Sequence, residues 1–286
     1  MSENTVAKYL LYLIPLFMIF VGGCGSSEAT KEVSVEERFK DAMEQFNDRD
    51  YLDAINEFKA ISLQYPGSAY ADDAQYYLGE CHFKRGEFLL AAYEYGDMKR
   101  SFPASSLVPD AQYKLGLSYY ELSPPARLDQ RYTTKAKDEL QAFVEYYPSH
   151  EMAPDAEARI RELTDKLAEK AYNSAKLYQR MERYRAALHY LDEITERYHD
   201  TNFAPLSYLT KTEIEISRKR YRSAKETVSK FISLFPNSVL RSQADRLLEE
   251  AENGLRSGDD RSSRVTSGTS SGADVFLHGL SSSTDR

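Results

Sequence analysis

The chain of 286 residues contains no tryptophan, only two cysteines, no excess of basic residues and no apolar run longer than thirteen residues. Cys24 and Cys81 cannot supply the paired CxxC ligands of a zinc site, and two sulfurs make no disulfide framework. A net charge of −8 argues against a phosphate-binding surface, so nucleic acid is not an expected partner. A Gly-rich phosphate loop, H-E-x-x-H, G-x-S-x-G and cofactor fingerprints are all absent, so no catalytic residue set, metal or cofactor is expected. What the chain does have is 42% apolar residues, 29% charged residues, 22 tyrosines and 13 phenylalanines, enough to bury a core.

The thirteen-residue run Tyr9–Val21 would rise only about 20 Å as a helix, short of the roughly 30 Å hydrocarbon layer. It reads as a signal-peptide core over residues 1–23. Val21-Gly22-Gly23-Cys24 resembles the bacterial lipobox, in which small residues admit the peptidase and only a thiol can form the thioether to lipid. The resemblance implies that Cys24 is acylated and anchors the chain to a membrane. Gly25 after it, rather than Asp, implies sorting to the outer membrane, facing the periplasm. Residues 24–34 then form a lipidated N-terminus and polar tether. Cys81 is left as the one free thiol and is expected to be buried.

A phrase recurs further on: Tyr65-Pro66, Phe102-Pro103, Tyr147-Pro148, Tyr198-His199 and Phe235-Pro236, an aromatic helix stop before a helix start. Twelve residues before each second position stands an alanine (Ala54, Ala91, Ala136, Ala187, Ala224). Four after that alanine stands a large side chain (Phe58, Tyr95, Leu140, Leu191, Val228), and eight after the second position a small one (Ala74, Ala111, Ala156, Ser207, Ala244). A small residue also lies twelve before the alanine at Ala42, Gly79, Ala175 and Thr212; Gly116 fits only if the third copy carries an insertion. The pattern resembles the tetratricopeptide repeat, and it predicts an all-α superhelix of five helix pairs with a C-terminal capping helix. Units 1–3 fall in 35–150. A single long helix over Ala153–Met181 linking the two halves, units 4 and 5 and the cap fill 151–253. The Ser- and Gly-rich stretch 254–286 reads as a disordered tail. The third unit is expanded between Glu121 and Thr133, where Pro124-Pro125 breaks any helix.

Such an array offers a groove lined by the first helix of each unit. The inward positions read Phe39, Met43, Phe46, then Tyr76, Glu80, Phe83, Lys84, then Tyr113, Leu117, Tyr120, and all but Glu80 make up a candidate lining suited to an apolar or aromatic peptide segment. Charge is uneven along the array. Residues 36–60 hold eight acids and four bases, whereas 211–230 hold seven bases and three acids. Arg218, Lys219, Arg220, Arg222 and Lys225 form a candidate basic docking face for an acidic partner.

Lipobox, tether, five repeats and cap together resemble the BamD (ComL) family of outer-membrane assembly lipoproteins, over residues 24 to about 253. That resemblance implies a non-enzymatic scaffold of the β-barrel assembly machinery, in which the N-terminal repeats recognise unfolded outer-membrane proteins. It further implies that the C-terminal repeats dock on a BamA-like barrel subunit, beside other assembly-complex lipoproteins. The alternative is a Tol-Pal-type periplasmic repeat protein that coordinates the envelope during division; such proteins typically lack the lipobox cysteine.

Overall fold

In the computed structural model, Ser34 opens the first helix by accepting a hydrogen bond from the Glu37 N–H at 3.1 Å, with Glu36 and Glu37 on the positive end of the helix dipole. The structure describes residues 33–270, with side chains through Ser257. The signal peptide, Cys24 and most of the tether lie outside the described residues, as does the tail from residue 271 on. The described residues form eleven helices and no strand. They are α1 (Val35–Asn47), α2 (Tyr51–Gln64), α3 (Ala71–Lys84), α4 (Phe88–Ser101), α5 (Val108–Glu121), α6 (Arg131–Tyr146), α7 (Ala153–Arg180), α8 (Tyr184–Arg197), α9 (Phe203–Ser217), α10 (Tyr221–Leu234) and α11 (Arg241–Ser270). Each packs on the next as an up-down array.

The repeated aromatic has one structural job. Tyr65, Phe102, Tyr147, Tyr198 and Phe235 are the C-caps of α2, α4, α6, α8 and α10, each sending its N–H back to the carbonyl four residues earlier. All fifteen of the alanine, large and small pattern positions are sealed from solvent at 0% exposure, which establishes the repeat as the packing unit. Ser207 joins them because its hydroxyl donates to the Phe203 carbonyl at 2.7 Å and leaves no unpaired group.

Gly79 and Gly116 show why the small positions are small. A Cβ on Gly79 would sit 2.7 Å from the Tyr95 ring; on Gly116 it would sit 2.7 Å from the Leu140 side chain and 3.2 Å from its backbone nitrogen. The expanded third unit therefore keeps the same helix crossing as the second. Its inserted loop is held down rather than free. Lys166 donates to the Ser123 hydroxyl at 2.9 Å, Lys170 donates to the Arg127 carbonyl at 3.0 Å, and Ala126 is buried.

Within units 1, 2, 4 and 5, the helix-to-helix turn places Arg49, Gly86, Glu182 and Lys219 in the left-handed region, each five residues before the unit's buried alanine. The paired backbone bonds, such as Asp50 N–H to the Gln45 carbonyl and Arg49 N–H to the Phe46 carbonyl, form a Schellman stop. Three of these units accept a side chain where glycine would fit without cost.

The long helix runs as the sequence predicts, 28 residues over Ala153–Arg180. It is not merely a link. Its N-terminal turns pack on α6 through Ala153, Ala156 and Leu163, and its C-terminal half is the first helix of unit 4. The last helix departs from expectation. Cap and tail were expected to part at residue 254, but α11 continues through Ser270. Gly254 is no stop signal: its Cβ position lies 2.4 Å from the Tyr221 ring, so glycine is there to let α11 lie close to α10.

We expect Gly79→Ala and Gly116→Ala each to cost about 1–3 kcal/mol, since a methyl group must displace a packed ring or backbone. Gly67→Ala, with no atom within 4 Å of its Cβ position, should leave the urea midpoint unchanged or raise it slightly. Equal effects at all three glycines would contradict close approach as their role.

Candidate interaction surfaces

The nine lining residues expected on units 1–3 do not share one environment. Lys84 is exposed, seven are half-buried, and Tyr113 is buried at 5% exposure. Phe39 stacks on Tyr70 with centroids 5.0 Å apart and lies 5.9 Å from Phe58. Phe46 meets Tyr51 at 5.7 Å and Tyr77 at 5.2 Å, and Met43 packs into the same cluster. Tyr76 lies 5.9 Å from Tyr95, and Phe83 lies 5.2 Å from Phe88. Leu117 and Tyr120 pack on the unit 3 core. These rings give one surface to their neighbours, so the wall they form is held by the fold itself.

Tyr113 does not line the groove. Its ring lies 5.4 Å from Phe143 and its hydroxyl donates to Asp155 at 2.5 Å, because the start of α7 covers it as a further first helix would. Burial pushes the Tyr113 phenol up to about 12, and the hydrogen bond to Asp155 adds to the shift. Burial also raises Asp155, but the bonds from Tyr113 and Arg159 outweigh it and hold this carboxyl below its ordinary value.

The structure also shows a set of charged partners that the aromatic pattern did not reveal. Glu80, buried in α3, accepts from the Tyr95 hydroxyl at 2.5 Å and pairs with Lys114 of α5 at 2.6 Å. Lys114 in turn lies 5.2 Å over the Phe83 ring. Tyr120 donates to Glu162 and carries the Arg159 guanidinium 4.6 Å above its ring. First helices of successive units are thus joined by cation, carboxylate and ring. Cys81 is buried as expected, and burial first, then the nearby Glu80 charge, pushes its thiol up to about 12, which leaves it unreactive.

At the other end, Arg218, Lys219, Arg220, Arg222 and Lys225 are all exposed. Lys225 is tied to Glu252 of α11 at 2.8 Å. Arg218 lies 5.4 Å over the Tyr184 ring, and together with Arg220 it forms one wall of an open groove of about 1130 Å³. The opposite wall comes from unit 4, through Arg183, Arg185 and Leu188. Sequence reasoning missed Arg183 and Arg185, which lie outside the basic stretch at 211–230. Their signal was positional, since Arg183 and Arg220 occupy the same place in two repeats. Lys219, Arg220 and Arg222 border a second, smaller groove of about 460 Å³ beside Gly254.

Among the described residues no three His, Cys, Asp or Glu side chains group as a metal site, and no helix is long and apolar enough to cross a membrane. Helix pairs crossing at small residues, stacked with a shared superhelical wall, define a tetratricopeptide-repeat solenoid. Within that class, the model of the YfiO family, described as outer membrane lipoprotein, matches residues 31–219, and the chain belongs to this family. It is 25% identical over 246 residues to the outer membrane protein assembly factor BamD of Rickettsia prowazekii, covering 85% of this chain and 98% of that protein. The BamD of Caulobacter vibrioides is 25% identical over 241 residues, 82% of this chain and 78% of that protein. Among solved structures, the TPR domain of P58(IPK) is 16% identical, with 82% of this chain and 66% of that one covered and a TM-score of 0.40.

Removing the Tyr113 hydroxyl should cost about 1 kcal/mol at neutral pH, below the usual value for a bond to a charged group because the Asp155 side chain is 44% exposed and solvent screens it. A carboxyl held below its unfolded value stabilises the fold above that value, about pH 4, and loses the contribution as pH falls through its folded value. The difference between Tyr113→Phe and the parent in urea unfolding should therefore be full at pH 7 and shrink progressively as pH is taken below 4. An equal gap across that range would contradict the charged bond.

Proposed function

We propose that this chain is an outer-membrane lipoprotein subunit of the β-barrel assembly machinery, a scaffold that holds polypeptides rather than transforming them. The observation that carries the reading is the collinear match to a protein named outer membrane protein assembly factor, over 98% of that protein's length. Cys24 would carry the lipid, and the folded array would hang from it into the periplasm. The half-buried aromatic wall of units 1–3, with Lys84 at its rim, would receive unfolded outer-membrane proteins. Arg218, Lys219, Arg220 and Arg222 would dock a BamA-like barrel subunit, next to other assembly-complex lipoproteins.

The division of labour follows from what each surface can hold. Rings already fixed by neighbours lose little rotamer entropy when an apolar or aromatic side chain packs on them. Exposed arginines attract and orient an acidic domain, and their contribution falls with added salt. Lys225 is the weakest member of this set, because Glu252 already neutralises it.

Affinity capture from detergent-solubilised outer membrane should recover the barrel-forming subunit, and Arg218→Glu with Lys219→Glu should reduce recovery by about tenfold or more. Recovery of Tol-Pal components instead would overturn the reading. Mass spectrometry of the mature protein should find a triacylated Cys24 as its first residue; an unmodified N-terminus elsewhere would refute the anchor.

A further inference from the structure

The helix-to-helix turns of units 1, 2, 4 and 5 share one backbone geometry but not one charge. The residue that follows the left-handed position, and N-caps the second helix, is Asp50 in unit 1, Glu87 in unit 2, Arg183 in unit 4 and Arg220 in unit 5. Neither Asp50 nor Glu87 makes a side-chain cap bond, but a carboxylate at an N-cap complements the helix dipole, whereas an arginine opposes it. Arg185 and Arg222, in the first turns of α8 and α10, repeat the conflict. Units 4 and 5 thus place cations where local stability favours anions, a conflict that marks a surface kept for another purpose.

We propose that the groove between units 4 and 5 seats an extended acidic polypeptide segment. Its carboxylates would meet Arg183, Arg185, Arg218 and Arg220, and one apolar or aromatic side chain would lie against Tyr184 and Leu188. This rests on the docking reading above and extends it to a second turn and a stated ligand chemistry. Among the described residues none of the four arginines is in an ion pair; of the two acids in the same groove, Asp192 is taken by Lys211 at 2.5 Å, which leaves Glu182 as one carboxylate against four guanidinium groups. The volume, about 1130 Å³, exceeds the range of about 300–1,000 Å³ typical of small-molecule sites, and the groove is open to solvent, which suits a chain segment. Planar guanidinium groups on two adjacent turns can each take a carboxylate through paired N–H donors.

The test uses the full mature protein and a fluorescent peptide of alternating Asp and Glu with one central Phe. A Lys-for-acid version of the peptide and vesicles containing phosphatidylglycerol serve as comparison probes. The acidic peptide should bind, more weakly as salt rises, and Arg183→Asp or Arg220→Asp should each weaken it by about tenfold or more. Arg100→Asp, an exposed basic site in unit 2, should leave binding unchanged. The two groove variants should melt at or above the parent temperature, because an N-cap carboxylate replaces a cation, so lost binding would not come from unfolding. No binding of the acidic peptide, an equal loss in Arg100→Asp, or binding to the anionic vesicles alone would overturn the proposal. If the peptide binds through the groove while capture of the barrel subunit is unaffected by Arg218→Glu with Lys219→Glu, the groove stands and the docking reading fails.

Discussion

Every other feature of this molecule depends on how closely its helices approach at the small residues. Ala54, Ala91, Ala136, Ala187 and Ala224 each face a large side chain four residues on, and all ten of these positions are closed to solvent. With Tyr95 against Gly79 and Leu140 against Gly116, there is no room for one further carbon. This contact sets the crossing of each helix pair, and repetition of one crossing makes a superhelix with a continuous wall. Interaction surfaces then follow from which residues the crossing leaves on the outside.

That principle explains the uneven use of aromatic residues. A long wall of rings on units 1–3 invites assignment wholly to binding, but much of each ring is consumed in joining one first helix to the next. Phe39, Phe46 and Tyr77 interlock across α1 and α3, and Phe83, Tyr113 and Tyr120 are each fixed by a cation or a carboxylate from a neighbouring unit. A binding wall built this way is stiff. Substituting Phe46, which sits between Tyr51 and Tyr77, would disturb packing as well as any surface.

The repeat was legible in the sequence because alanine recurs at a fixed distance from an aromatic stop, and that spacing alone predicts the buried set. Three features were not legible, for separate physical reasons. Tyr113 is buried because the first turns of α7 act as an additional first helix over unit 3, which a reading of Ala153–Met181 as a simple link does not contain. Gly254 breaks composition but not the helix, because its missing side chain makes room for Tyr221. The groove at units 4 and 5 joins turns far apart in sequence, so only the repeat register brings Arg183 beside Arg218 and Arg220.

Charge along the turn edge gives the array a direction, from carboxylate caps at the N-terminal end to arginine caps near the C-terminal end. A scaffold with that asymmetry can hold two polypeptides at once without exchanging their sites, since an acidic partner is repelled at one end and attracted at the other. Hydrogen exchange on the full mature protein, with and without the barrel-forming subunit proposed as its partner, tests this most directly. The account predicts new protection at the turns around Glu182–Arg185 and Arg218–Arg222, with the turns around Arg49 and Gly86 unchanged. Protection confined to the turns of units 1 and 2 would contradict it.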